Sequence, residues 1–184
     1  MKKTPLPQLV EQLSEAMRTY DRLAFDEEGE HQLGKPCSPA QIAVLEKILG
    51  RRLPPSYKAF IELHNGWSDF SGDAKLLAVA DHKSDWVKER LLDMEELFGD
   101  ADRENPFKKG AMPVMLGEDS NACLYVDPRA ARPNGEMDFV QLDIVTEERR
   151  FKDFTSFLEY RLDLFKRMID NQTKGEIDEE GAEG

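Results

Sequence analysis

Helical spacing of apolar residues dominates both ends of the chain, and an alternating pattern fills the middle. From residue 5 to about residue 23, apolar positions recur every three or four residues, which predicts an amphipathic helix. A second helix is predicted after Ser38, because Ser38 can cap it, Pro39 suits its first position and Gln41 completes a capping box. Gly50 is predicted to end it. The predicted buried face of this helix comprises Ile42, Leu45, Ile48 and Leu49.

The stretch that follows predicts a sharp turn into a third helix. Pro54 keeps the residue before it extended, and Pro55 suits the first position of a new helix. The pair Asn65-Gly66 is expected to close the helix, since both residue types accept left-handed backbone angles. A loop is then predicted to begin at Trp67. The predicted apolar face comprises Tyr57, Phe60, Ile61 and His64.

Alternation then takes over in segments rich in branched and aromatic residues, which predicts strands. The predicted strands are residues 75–80, 112–116, 122–127 and 138–144, with a short edge strand at 149–154. Two further helices are predicted, one over residues 84–98 and a strong C-terminal one from Phe154, capped by Thr155 or Asp153.

This order of elements predicts an α+β fold, with an antiparallel sheet meander, helices packed on one face, N-terminal helices and a long C-terminal helix. We expect one domain over residues 1–170, with its core at 38–168 and the helix at 5–23 as an extension. Residues 171–184 are acidic and are predicted to be a disordered tail.

The net charge of the chain limits the classes of macromolecule that it is expected to bind. The formal net charge is −12, and the last fourteen residues contribute −4, with five acids and one lysine, so the first 170 carry −8. An acidic surface repels phosphates, which disfavours nucleic acid, and it suits a basic protein partner. Acidity that serves only solubility is the alternative explanation. Neither a secretion signal nor a membrane-spanning run is evident, so we expect a cytoplasmic protein that does not enter a membrane.

Catalytic and metal-binding patterns are scarce. The three histidines do not lie at metal-binding spacing from one another or from Cys37 and Cys123, and His64 fits a packing role better than that of a base. The run from Gly117 to Pro128 supplies carboxylates but lacks the glycine and terminal glutamate of a calcium loop. We therefore expect no catalytic residues, no metal and no cofactor, and a protein that is not an enzyme.

Two surface features remain as candidates for recognition. Trp67, Asp69 and Phe70 are predicted to lie on the loop after Asn65-Gly66, where a tryptophan would serve as a binding hot spot. The alternative for Trp67 is that it folds back and closes the core. Glu118 and Asp119 lie on a turn of the predicted meander and could pair with basic groups on a partner.

The stretch "LEKILGRRLPPSYKAFIELHNG" resembles the signature of the SUKH superfamily, the SMI/KNR-type domain. The similarity extends to a strand ending in Gly117, a strand with Tyr125 and Asp127, and a final helix, and it covers roughly residues 38–168. The turn "GEDSN" lacks the family's extra glycines, and residues 81–109 are longer than usual. The matching positions are Leu49, Gly50, Leu53, Pro54, Tyr57, Phe60, Asn65 and Gly66, followed later by Ser156, Phe157 and Leu158.

The resemblance implies a binding module without enzymatic activity. Bacterial members of this superfamily are largely immunity proteins that neutralise toxins, often nucleases, and fungal relatives regulate cell-wall synthesis or act as scaffolds. The leading hypothesis is an immunity protein that binds a toxin domain with a basic surface, through Trp67, Asp69, Phe70, Glu118 and Asp119. The alternatives are a regulatory scaffold that binds a host protein or peptide, and an unrecognised hydrolase. The sequence leaves the oligomeric state unknown.

Overall fold

The computed structural model describes residues 4–27, 29–142 and 148–182. Its helices are α1 Leu6–Phe25, α2 Pro39–Leu49, α3 Pro55–Ile61, α4 Asp85–Asp100 and α5 Phe154–Ala182. Its strands are β1 Trp67–Ser71, β2 Ala74–Leu76, β3 Met112–Gly117, β4 Cys123–Asp127, β5 Asp138–Leu142 and β6 Glu148–Phe151. The chain divides into two compact units, one comprising Gln32–Phe154 and the other Met1–His31 with Thr155–Gly184.

The larger unit is built on one sheet. Within the described residues its six strands lie in the order β1-β2-β3-β4-β5-β6, and each pairs antiparallel with its neighbour, as a meander requires. This confirms the predicted α+β class, with its antiparallel sheet, N-terminal helices and long C-terminal helix. A register shift in β3 lies beside Pro113, where a strand lacks one amide donor.

Helices cover both faces of this sheet, whereas the sequence predicts helices on one face. On one face, the α3 residue Tyr57 packs its ring 5.9 Å from Phe139 of β5 and 5.1 Å from Phe154. On the other face, α4 contributes Val87, Met94 and Phe98 to a second cluster. Strands β3 and β4 are accordingly buried at every residue, so their apolar side chains point both ways. The sheet members of the second cluster are Leu116, Cys123, Tyr125, Val140 and Leu142.

The predicted start and end of α2 are confirmed, whereas α3 is confirmed at its start and ends earlier than predicted. Ser38 and Gln41 form the predicted capping box, and Gly50 ends α2 with a φ of 73°. The α3 helix ends at Ile61, three residues before the predicted His64. Ile48 is 43% exposed, so the prediction that it is buried is wrong. Only a narrow stripe of α2 is buried, comprising Ile42, Leu45 and Leu49.

The Asn65-Gly66 pair has a structural role that explains both residue types. Asn65 Oδ1 accepts a hydrogen bond from the Val79 amide at 2.8 Å. Gly66 has a φ of 85°, and a Cβ there would lie 2.8 Å from the Ala78 nitrogen. The Gly66 carbonyl also accepts from the Gly34 amide at 3.0 Å. The pair thus joins the chain before α2 to the segment after β2.

The smaller unit contains α1 and α5. Tyr20 of α1 packs edge-on against Phe165 of α5, with ring centroids 5.9 Å apart. The helix α5 begins at Phe154, as predicted, and continues to Ala182. Its residues 171–174, "NQTK", include no helix breaker, and the Thr173 hydroxyl donates to the Ile169 carbonyl at 3.0 Å. The single domain over 1–170 and the disorder of the acidic tail stay predictions.

Candidate functional site

A groove runs between α4 and the turn that joins β3 to β4. We call it the acidic groove, and its volume is about 470 Å³. Four of its six lining side chains are carboxylates, and one is a cation. The acidic groove is lined by Trp86, Glu89, Arg90 and Asp93 of α4 and by Glu118 and Asp119 of the turn.

The turn is held in place by Asp73, which lies between β1 and β2. Its carboxylate accepts three hydrogen bonds, from the Asp119 amide at 2.8 Å, the Ser120 amide at 2.6 Å and the Ser120 hydroxyl at 2.7 Å. Desolvation alone would raise the pKa of Asp73, but these hydrogen bonds from Ser120 and Asp119 outweigh it and hold the pKa below its usual value. The backbone of the turn is therefore fixed while its own carboxylates face outward.

Arg90 attaches the other side of the turn to α4. Its Nη2 donates to the Ser120 carbonyl at 2.7 Å, and its Nε donates to the Gly117 carbonyl at 3.3 Å. Its Nη1 donates to the Asp93 carboxylate at 2.9 Å. A planar guanidinium suits this role, since one side chain reaches several acceptors in a fixed geometry. The two walls of the acidic groove are thus linked by Arg90.

Trp86 supplies the aromatic surface of the groove. The Lys75 ammonium lies 4.3 Å from the centre of the Trp86 ring and 3.7 Å from the Glu118 carboxylate. A cation over an indole ring shows that this ring and its acidic surroundings accommodate positive charge. Lys75 of the chain itself therefore occupies one face of the Trp86 ring.

The carboxylates continue along α4 beyond the groove. Exposed acidic residues recur every three or four positions, so they share one face of the helix. Leu92, which is 62% exposed, interrupts this acidic face with an apolar side chain. Neighbouring carboxylates of one sign create a local negative potential that attracts basic proteins. The acidic residues of this face are Asp85, Glu89, Asp93, Glu96 and Asp100.

The structure separates the two predicted recognition features. Glu118 is 62% exposed and Asp119 is also exposed, and both line the acidic groove. Trp67 and Phe70, by contrast, are 1% and 0% exposed, so the prediction that they lie on an exposed loop is wrong. They belong to β1, and their rings pack edge-on with centroids 5.2 Å apart. The alternative expectation, that Trp67 closes the core, matches its position.

Asp69 lies between these two aromatic residues but is exposed. Its φ of 48° places it in the left-handed region, where the register of β1 against β2 shifts. Asp69 therefore has a backbone role in the bulge, and it is remote in sequence from the groove residues.

Sequence reasoning missed the contribution of α4. From the sequence, Trp86, Glu89 and Asp93 are recognisable only as parts of an amphipathic helix. Acidic residues on the polar face of such a helix are common, so they do not by themselves indicate a binding site. The usable signal was Trp86 itself, a large aromatic residue one position into a helix whose polar face is acidic.

His82 and the two cysteines lie where desolvation disfavours their charged forms. Desolvation lowers the pKa of His82 to about 4, although the charge of Asp81 acts in the opposite direction. Burial raises the pKa of the Cys123 thiol, against the effect of Arg90. Burial likewise raises the pKa of Cys37. Among the described residues, no group of three or more His, Cys, Asp or Glu side chains has the arrangement needed to hold a metal ion.

Comparison with known proteins assigns the family. Across the described part of the chain, no helix has the length and apolar character needed to cross a membrane. A search of curated proteins finds no match to this chain. The sequence profile described as SMI1 / KNR4 family (SUKH-1) matches residues 36–160, which is more than half of the 184 residues and includes α2, α3 and the acidic groove. The chain therefore belongs to the SMI1/KNR4 family (SUKH-1).

Proposed function

We propose that this protein is a non-enzymatic binding module that neutralises a bacterial toxin, and that the acidic groove receives a basic surface of that toxin. Membership of the SMI1/KNR4 family is consistent with a toxin-immunity or regulatory module that binds protein. The observation that carries the choice of surface is the groove itself, where four lining carboxylates outnumber two cations, Arg90 of the lining and the adjacent Lys75.

The charge of the acidic groove suits a nuclease toxin as its binding partner. Enzymes that cleave nucleic acid present lysine and arginine side chains to phosphates, and carboxylates at similar spacing can pair with the same cations. The turn bearing Glu118 and Asp119 is already fixed by Asp73 and Arg90, so less ordering accompanies binding. Inhibition would then be steric, because the bound module covers the surface that the nucleic acid needs.

Growth rescue tests this proposal. The toxin domain encoded beside this chain's gene is expressed in a sensitive host, with and without this protein. We expect the wild type to restore growth and to be retained by the tagged toxin in a pull-down. A variant with Glu89→Gln, Glu118→Gln and Asp119→Asn should rescue poorly.

A matched variant controls for the loss of charge. Glu11→Gln, Glu27→Gln and Asp170→Asn remove the same three charges from exposed positions of the smaller unit that do not line the groove. This control should rescue as well as the wild type. Absence of rescue and of binding for every neighbouring toxin domain would overturn the proposal. Retention of a housekeeping protein or peptide instead would favour a regulatory scaffold.

A further inference from the structure

A second groove lies along α4, on the other side of the helix from the acidic groove. Its α4 residues are offset by about two positions from those of the acidic groove, which is roughly half a helical turn, so α4 forms a ridge between the two grooves. We call it the apolar groove, and its volume is about 380 Å³. It is lined by Lys88, Leu91, Leu92 and Glu95 of α4 and by Asn105, Phe107 and Lys108 of the segment that follows.

Three apolar side chains give this groove its character. Leu91 and Phe107 are half-buried and pack against the core cluster beneath α4, and the Phe107 ring lies 5.7 Å from that of Tyr125. Leu92 is 62% exposed. A single exposed leucine is common on protein surfaces. Leu92 differs because it extends the apolar surface that Leu91 and Phe107 form, and a continuous apolar surface bordered by polar groups is typical of a site that contacts another protein.

The charged groups of the apolar groove are paired with one another. Lys88 Nζ donates to the Asp85 carboxylate at 2.8 Å. Lys108 Nζ donates to the Glu95 carboxylate at 2.5 Å, which joins the segment after α4 to the helix. Two cations therefore meet two carboxylates, and no formal charge is left over. An uncharged side chain suits such a groove, because a charged one would find no unpaired opposite charge there.

The wall that bears Phe107 is fixed by local hydrogen bonds. Asn105 Oδ1 accepts from the Phe107 amide at 2.9 Å, at the start of a short 3₁₀ turn. Gly110 ends this turn with a φ of 87°, and its amide donates to the Phe107 carbonyl at 3.2 Å. Binding to a wall that is already ordered requires less loss of conformational entropy.

The ridge between the two grooves carries excess negative charge. The α4 helix has six carboxylates and two cations. Two further carboxylates and two further cations lie beside it, so the whole surface has eight carboxylates and four cations, a formal charge of −4. Two surfaces of this kind would repel each other, which disfavours a second copy of this chain as the occupant and favours a basic protein. The four neighbouring residues are Glu118, Asp119, Lys75 and Lys108.

The exposed Leu92 lies among these carboxylates. Glu89 precedes it by three positions and Glu96 follows it by four, and both are exposed. Residues at these spacings are neighbours on a helix surface, with about 5–6 Å between their Cβ atoms. A partner residue that contacts Leu92 therefore has a carboxylate about one helical turn away in each direction.

We infer that the apolar groove receives an apolar side chain of the basic partner, and that Leu92 lies at the centre of an interface that spans α4. The occupant that fits is an amphipathic helix, with a leucine-sized side chain in the groove and lysine or arginine three or four positions to either side, facing Glu89 and Glu96. An apolar anchor within a charged rim is the arrangement typical of binding hot spots. The inference rests on the proposed function for the identity of the partner, and it adds an apolar contact to the charged ones of the acidic groove.

A pair of peptides tests the inference without the toxin. One is a lysine-rich helical peptide with a single central leucine, and the other has alanine at that position and the same charge. Fluorescence anisotropy at low salt measures both affinities. We expect the wild type to bind the leucine peptide about tenfold more tightly, as burial of one leucine side chain predicts. Leu92→Ala should abolish this preference, whereas Ile48→Ala, at an exposed apolar position of α2, should keep it.

Kinetics with the toxin domain distinguish this inference from the proposed function. Leu92→Ala should raise the dissociation rate constant about tenfold and change the association rate constant little, because charge rather than apolar contact steers the encounter. Circular dichroism verifies that the variant is folded. Equal affinities of the two peptides for the wild type, no binding of either peptide, or an unchanged leucine preference in Leu92→Ala would each overturn the inference.

Each account can fail without the other. If the wild type rescues growth but Leu92→Ala dissociates from the toxin domain at the wild-type rate, the inference is overturned and the proposed function stands. If the leucine preference is found and depends on Leu92 but no toxin is neutralised, the proposed function is overturned. The apolar groove is then supported as a docking site for a basic helix of another protein.

Discussion

The sequence predicts two stretches as recognition surfaces, and the structure buries the aromatic residues of one stretch and exposes the carboxylates of the other. The aromatic pair Trp67 and Phe70 is buried in β1, whereas Glu118 and Asp119 are exposed on the turn after β3. An aromatic ring gains stability by leaving water, but an ionised carboxylate loses hydration if it is buried without partners. The comparison indicates that Trp67 and Phe70 stabilise the fold, whereas Glu118 and Asp119 remain at the surface, accessible to a partner.

The largest expected effect on the free energy of unfolding comes from substitution of the buried Trp67. Trp67→Ala should lower the free energy of unfolding by about 3–5 kcal/mol, since it removes a large core side chain and leaves a cavity. Urea denaturation followed by circular dichroism measures this. Leu92→Ala, at an exposed apolar position, should change the free energy of unfolding by only about 0.5 kcal/mol. If Trp67→Ala changed the free energy of unfolding as little as Leu92→Ala, the result would contradict the burial of Trp67 in the core.

Much of the fold was predictable because its signals are local. The capping box of Ser38 and Gln41 uses neighbouring residues, and the short runs of branched and aromatic residues in β3 to β5 indicate strands without knowledge of their partners. The family signature at Asn65-Gly66 likewise reflects a backbone requirement at that position. These signals identified the α+β class and most element boundaries.

The candidate site was predictable only in part because it joins distant segments. Glu89 and Glu118 are 29 positions apart, and they line one groove because α4 packs on the face of the sheet that bears Leu116 and Cys123. No pattern within either segment specifies that packing. Trp67 was misplaced for a similar reason, since its burial depends on β1 pairing with β2 at a bulge rather than on the preceding Asn65-Gly66.

An intermediate effect on stability is expected from Asp73, whose carboxylate holds the turn that bears Glu118 and Asp119. Asp73→Asn should lower the free energy of unfolding by about 1–2 kcal/mol at neutral pH, because an amide nitrogen replaces one of the two acceptor oxygens. The wild-type pKa of Asp73 is depressed, so its contribution is present above the unfolded pKa of about 3.9 and is lost as pH falls through the folded pKa.

Urea unfolding between neutral pH and pH values below the usual aspartate range tests this contribution. The difference between the wild type and Asp73→Asn should shrink as the pH falls, because protonation removes the same interaction from the wild type. Asp170→Asn, at an exposed position, serves as the control. A difference that stays constant with pH would show that the Asp73 carboxylate does not hold the turn in its ionised form.

The smallest effect concerns Asp69, the exposed residue between the buried aromatics. Asp69→Ala should be less stable than Asp69→Gly by about 1 kcal/mol, because alanine is strained at a φ of 48° and glycine is not. Both substitutions remove the side chain, so their difference reports the backbone alone. Thermal unfolding of the two variants under one set of conditions measures it. Equal stabilities would contradict the left-handed conformation at the bulge.

The central claim is that the acidic groove receives a basic protein partner. Its most direct test is the association rate constant with the toxin domain encoded beside this gene, measured by stopped flow at low salt and at about 0.15 M salt. Glu89→Gln/Glu118→Gln/Asp119→Asn should reduce this rate about tenfold or more at low salt, and the reduction should shrink as salt rises. The matched variant Glu11→Gln/Glu27→Gln/Asp170→Asn should retain nearly the wild-type rate. Equal rates for the two triple variants would contradict the claim, because the charge of the groove would then matter no more than charge elsewhere.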